Sequence, residues 1–125
     1  MTPLETVRAF LAAAERKDFD AALKFVTPGC EYTNLPMGTV RGPQGIRQTL
    51  EPFFAPIEVN EFRVLRVAAD GPLVFVERLD RHCAAHGWWE LPVTGVFEVH
   101  DGRITVWREY FDVQTMEKGM SGAAS

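Results

Sequence analysis

The stretch Asp70-Gly71-Pro72-Leu73-Val74-Phe75-Val76-Glu77-Arg78-Leu79-Asp80 decides how this chain folds. Its opening triplet is a reverse-turn signal, and the residues behind it alternate with the period of two that marks a strand. Similar runs flank it, and the spacing predicts strands over about 58–69, 73–84, 88–100 and 103–112. His86-Gly87 and Asp101-Gly102 supply two more hairpin turns, so consecutive strands pair antiparallel through short connections. Alternation puts Val74, Val76, Arg78 and Asp80 on one face, with Leu73, Phe75, Glu77 and Leu79 on the other. In the last strand, Ile104, Val106, Arg108, Tyr110 and Asp112 oppose Thr105, Trp107, Glu109 and Phe111.

Upstream of residue 58 the apolar period is helical. Thr2-Pro3-Leu4-Glu5 is a capping box with proline at the first helical position, followed by Val7, Leu11 and Ala14 at helical spacing, with Phe10 beside them. Asp18 caps a second, shorter helix, a strand follows over 30–35, and Gly42-Pro43 opens a third helix through Phe53-Phe54. Three helices followed by a long antiparallel sheet make an α+β domain with the helices across one sheet face. Apolar residues on the other face call for a second cover, and a second copy of the chain is the simplest one.

Composition narrows the function classes. The 125 residues carry 13 Lys+Arg against 17 Asp+Glu, a net charge of -4 without a basic cluster, which argues against nucleic acid as a partner. No apolar stretch approaches the ~18 residues of a membrane span and no signal-peptide pattern opens the chain, so a cytoplasmic location is expected. Cys30 and Cys83 form no CxxC pair, which points to reduced thiols rather than a disulfide or a metal cage. His82 and His86 could share a strand face, but no supporting ligands stand nearby and Gly87 begins a turn. Neither metal nor cofactor is expected. The tail over 119–125, small residues and one Met after a domain over 1–118, reads as disordered.

Parity also gathers charge. Arg78 with Asp80, and Tyr110 with Asp112, follow β-branched residues on their faces and could place two carboxylates and a guanidinium at one end of an apolar hollow. Tyr32 and Asn34, two apart on their own strand, supply donors and acceptors suited to a water molecule. Two carboxylates can divide acid and base work, although a free Asp, with a pKa near ~3.9, needs burial or a like charge to hold a proton at neutral pH. Glu77 and Glu109 fall on the opposite parity and are excluded unless a bulge intervenes.

Glu31-Tyr32-Thr33-Asn34, Glu77-Arg78-Leu79-Asp80 and Trp107-Arg108-Glu109-Tyr110-Phe111-Asp112 resemble three signature stretches of the limonene-1,2-epoxide hydrolase family. Gly95-Val96-Phe97-Glu98 and Asp101-Gly102-Arg103-Ile104-Thr105 fit as well. The resemblance implies a cone-shaped barrel, a curved mixed, mainly antiparallel sheet with three N-terminal helices on its concave face. This is the fold of nuclear transport factor two, ketosteroid isomerase and the SnoaL-like cyclases, usually found as dimers. It further implies one-step hydrolysis of a small apolar epoxide to a vicinal diol, without a covalent intermediate. Asp112 would be the base that deprotonates water, Tyr32 and Asn34 would position that water, Asp80 would be the acid, and Arg78 would bridge the aspartates. A chain this short leaves no room for the α/β-hydrolase route through an ester.

Each residue also has a plainer reading. Arg78 with Asp80 is an ordinary structural ion pair, and Asp112 is well placed to cap a short helix starting near Val113. Leu35, Met37, Phe53, Trp88 and Trp89 are candidates to line the substrate pocket, and core or interface packing would use them equally well. Two other functions fit the same fold: a proton-moving isomerase or cyclase, and a non-catalytic module for an apolar ligand.

Overall fold

The computed structural model describes residues 1–35 and 37–122. Helix α1 (Pro3–Glu15) starts where the capping box places it: the Thr2 hydroxyl accepts from Glu5 N, and the Glu5 carboxylate accepts from Thr2 N. It is followed by α2 (Phe19–Leu23), capped by Asp18, then β1 (Val26–Leu35), β2 (Gly38–Arg41) and α3 (Gly42–Phe54). The C-terminal half is β3 (Val59–Asp70), β4 (Leu73–Ala84), β5 (Gly87–His100), β6 (Arg103–Tyr110) and α4 (Val113–Ser121).

The six strands form one curled sheet in the order β2-β1-β6-β5-β4-β3. Only β1 against β6 is parallel, because the chain reaches β1 before the meander begins and must return beside it. The α+β class, the mixed, mainly antiparallel sheet and the one-sided helices agree with expectation. Four features differ. Strand β1 begins at Val26, four residues early, and the short edge strand β2 carries no alternation that would announce it. The last strand ends at Tyr110 rather than Asp112. Helix α4 extends to Ser121, with Gly122 in the left-handed C-cap, so the ordered chain enters the stretch expected to be a tail; 123–125 lie outside the described residues.

The core lies between the helices and the inner sheet face. Val7, Phe10, Leu11 and Ala14 from α1 and Ile46, Leu50 and Phe54 from α3 pack on Val74, Val76, Val93, Phe97 and Ile104. Phe10 meets Trp107 and Phe97 edge-on, at 5.0 and 6.2 Å between ring centroids.

One irregularity decides what β6 presents to that core. Val99 pairs with Ile104 but Glu98 pairs with Val106, so Thr105 is an extra residue opposite no partner of its own. Its hydroxyl donates to Glu98 O at 3.2 Å. This β-bulge reverses the alternation: Ile104 is buried before it, and Trp107 and Glu109 are buried after it. Arg108 and Tyr110, on the parity expected to face the hollow, point to the outer face and are exposed.

Candidate active site

Three strands deliver polar side chains to the inner face at one end of the sheet. Arg78 and Asp80 come from β4, Glu109 from β6, and Tyr32 and Asn34 from β1. The Arg78 guanidinium is 2% exposed and holds both carboxylates in forks. Nε and Nη2 donate to Asp80 Oδ1 and Oδ2, each at 3.0 Å, while Nη1 and Nη2 donate to Glu109 Oε2 at 3.1 Å and Oε1 at 2.7 Å. Phe62 of β3 covers the cation, its ring centroid 5.4 Å from Arg78 Cζ.

Arg78 must reach across β5 to find Glu109, and Gly95 makes this possible. A Cβ at that position would stand 2.6 Å from Glu109 Oε2 and 3.0 Å from Arg78 Nη1. The glycine in the Gly95-Val96-Phe97-Glu98 stretch is therefore a packing requirement of the ion triad.

Burial pushes the Glu109 carboxyl above its ordinary range, against the pull of Arg78 in the other direction. Burial also opposes the charge on Arg78, but Glu109 and Asp80 outweigh it and hold the guanidinium firmly protonated. Tyr32 stacks on Trp107 at 3.9 Å and 11°, the consequence of their direct pairing across β1 and β6. Burial, and then the nearby Glu109 charge, raise its pKa and keep it a phenol. Its hydroxyl donates to Asn34 Oδ1 at 3.1 Å, leaving the Tyr32 oxygen lone pairs and the Asn34 Nδ2 hydrogens available beside Glu109, which pairs with Asn34 in the ladder.

These groups lie at one end of a cavity of about 340 Å³ with otherwise mainly apolar walls, including Phe10, Leu50, Phe54, Leu91 and Val93. Met37 and Phe53 line it, with Met37 well exposed at its rim.

Other expected site residues lie elsewhere. Asp112 is exposed beyond the end of β6, where its carboxylate accepts from Thr115 N at 3.0 Å and from Thr115 Oγ1 at 2.6 Å as the N-cap of α4. The Thr115 hydroxyl and amide hold its pKa below the usual carboxylate value. The expectation that Asp112 shares the hollow with Arg78 is therefore corrected: the bulge at Thr105 exchanges it for Glu109. Leu35 alternates away from Tyr32 and Asn34, and Trp88 is exposed on the outer face over Arg81, so neither lines the cavity. Trp89 faces inward but is occupied by α4, where Gly119 lies against its ring so closely that a Cβ would come within 2.0 Å. His82 and Trp107 are cavity residues that the sequence reading did not place there. His82 shares parity with Arg78 and Asp80, a signal that was present. His86 is at the β4–β5 turn with Nε2 on Gly119 O, and no group of three or more metal-ligating side chains occurs among the described residues.

The catalytic-domain family of limonene-1,2-epoxide hydrolase matches residues 1–121. A Mycobacterium tuberculosis protein named epoxide hydrolase EphG is 37% identical over 114 residues, which span 91% of this chain and 76% of that protein. The solved structure of an M. tuberculosis LEH-like epoxide hydrolase superposes with a TM-score of 0.81 at 35% identity, covering 97% of this chain and 90% of the other. A putative SnoaL-like polyketide cyclase from Shewanella denitrificans reaches a TM-score of 0.85 at 14% identity over 96% of this chain and 97% of its own, which shows a shared fold alone.

The role of Gly95 gives a thermodynamic prediction. Gly95→Ala overfills the site and should lower stability by about 1–3 kcal/mol in urea denaturation. In a Glu109→Ala background the nearest clash is gone, so the same change should cost markedly less. Equal costs in both backgrounds would show that Glu109 does not depend on the glycine.

Proposed function

Because this chain belongs to the limonene-1,2-epoxide hydrolase family, we propose that it adds water to a small, largely apolar epoxide to give a vicinal diol in one step. The observation that carries the reading is the pair of buried carboxylates forked onto one guanidinium beside a Tyr–Asn dyad, at the end of an apolar cavity. Water rests against the Tyr32 oxygen and Asn34 Nδ2 and gives a proton to Glu109 as its oxygen attacks a ring carbon. The ring C–O bond breaks as Asp80 donates its proton to the departing oxygen. Glu109 takes the base role because it adjoins the dyad, and Asp80 on the far side of Arg78 takes the acid role.

One proton thus leaves Asp80 while another arrives on Glu109. The pair carries a single negative charge before and after, and Arg78 neutralises it throughout. A desolvated ion triad is poorly suited to large changes in net charge, and this reaction requires none. An isomerase with one proton-moving carboxylate would leave the bridge unused.

In heavy-oxygen water under single-turnover conditions, label should enter the diol directly; enzyme oxygen appearing in the first product would contradict the one-step route. Asp80→Asn and Glu109→Gln should each lower kcat by about 10²–10⁴-fold or more. Asp112→Asn should leave kcat nearly unchanged. An inactive but folded Asp112→Asn enzyme would return the base role to that residue.

The pH dependence follows from sharing one proton. With both carboxyls protonated no base is present, and with both ionised no acid is present. Burial raises Glu109, so kcat/KM should climb through a first ionisation above the usual carboxylate range and fall through a second. A profile with a single ionisation would contradict the shared proton.

We also infer that the outer sheet face is the contact of a homodimer. Leu65, Phe75 and Tyr110 are exposed there, at 56%, 41% and 43%, and Leu65 and Tyr110 border one shallow depression with Leu79 and Pro92. Light scattering should give twice the chain mass, reduced to the single mass by Leu65→Arg with Tyr110→Glu. A wild-type monomer would refute it.

A further inference from the structure

His82 is 1% exposed, lines the cavity, and has no part in the chemistry above. Its hydrogen bonding can be assigned from its neighbours. Asn60 Nδ2 lies 3.3 Å from Glu15 O, a carbonyl that only accepts, so Asn60 must turn its Oδ1 toward His82. That oxygen also only accepts, so the 2.7 Å contact with His82 Nδ1 requires the proton on Nδ1. Nε2 is therefore left with a lone pair, and it has no hydrogen-bond partner among the described residues.

The ring cannot turn away from this arrangement. Trp89 lies against it at 4.6 Å between centroids, and Phe53 and Phe54 flank it at 5.6 and 5.9 Å. The clamp extends to the end of α1, where the Glu15 carboxylate accepts from Phe62 N at 2.7 Å. Burial lowers the His82 pKa to about 4, so the imidazole stays neutral and Nε2 stays an acceptor at neutral pH. A preorganised acceptor with no side-chain or backbone partner among the described residues, held between aromatic rings in the cavity wall, is suited to a ligand that supplies the donor.

Resting on the epoxide hydrolase reading, we propose that His82 Nε2 recognises a hydroxyl on the substrate, which is thus an epoxide carrying an alcohol remote from the ring. Asp80 and His82 are two residues apart on the same face of β4, a spacing of about 7 Å. With the epoxide oxygen at Asp80, the hydroxyl belongs at roughly that distance, a span of roughly four methylenes. The pocket therefore selects an apolar body with reactive oxygen at one end and a donor further along β4.

The test compares an epoxyalkane ending in a hydroxyl roughly four methylenes from the ring with its isostere ending in methyl. Wild-type enzyme should favour the alcohol by about 10-fold or more in kcat/KM, as a site built to pair a hydroxyl does. His82→Leu should erase or invert that preference while keeping turnover of the methyl compound. Equal wild-type efficiency, or a preference unchanged in His82→Leu, would overturn the proposal. Binding of the two corresponding diols, one carrying the extra hydroxyl, is followed in parallel by the nitrogen-15 resonance of His82 Nε2 in wild-type protein. Donation should move that resonance upfield with the hydroxyl-bearing ligand alone, and identical responses would overturn the proposal. This arm needs neither turnover nor a stable variant. Failure to hydrolyse both epoxides would refute the hydrolase reading, while the nitrogen resonance still decides the role of His82.

Discussion

A guanidinium buried between two carboxylates sets the terms for the rest of this molecule. Arg78 lies in the helix-covered face of the sheet, where an unpaired charge would cost several kcal/mol. Its forks to Asp80 and Glu109 compensate that cost with four hydrogen bonds. The surrounding structure follows from them. Gly95 is bare because a side chain there would strike both partners, and Phe62 covers the remaining face of the cation. The inner wall is thus apolar except where this cluster, the Tyr32–Asn34 dyad and His82 interrupt it.

The bulge at Thr105 connects that interaction to the fold. Without the extra residue, β6 would turn Arg108 and Tyr110 inward and set a second arginine in the position that Glu109 occupies. With it, Trp107 stacks beneath Tyr32 and Glu109 meets Arg78 across the bare backbone of β5. Chain direction matters as well. The parallel pairing of β1 with β6 brings Asn34 opposite Glu109, so the Tyr32–Asn34 dyad and the Glu109 carboxyl are neighbours by register.

Much of this was legible in the sequence because most strands here alternate without interruption. The turns at Gly71, Gly87 and Gly102, the capping box at Thr2, and the placement of Arg78 and Asp80 on one inward face all follow from local pattern. Asp112 could not be placed by that means. Alternation counted through Thr105 assigns every later residue of β6 to the wrong face, and a bulge leaves no mark in a run such as Arg103-Ile104-Thr105-Val106. The plainer reading of Asp112 as a helix cap describes where it lies. Trp89 illustrates a different limit: its inward direction was readable, but its burial under Gly119 of α4 depends on a tertiary contact.

The central claim is that Glu109, buried against Arg78, and not the exposed Asp112, is the carboxyl proposed to act in the cavity, and carboxyl carbon NMR tests it most directly. With carbon-13 at the side-chain carboxyls, the Glu109 resonance should titrate above the usual carboxylate range, because burial raises it. Asp112 should titrate separately, below the usual carboxylate value, as its bonds to Thr115 dictate. Titration of Glu109 in the range of an exposed side chain would contradict the account.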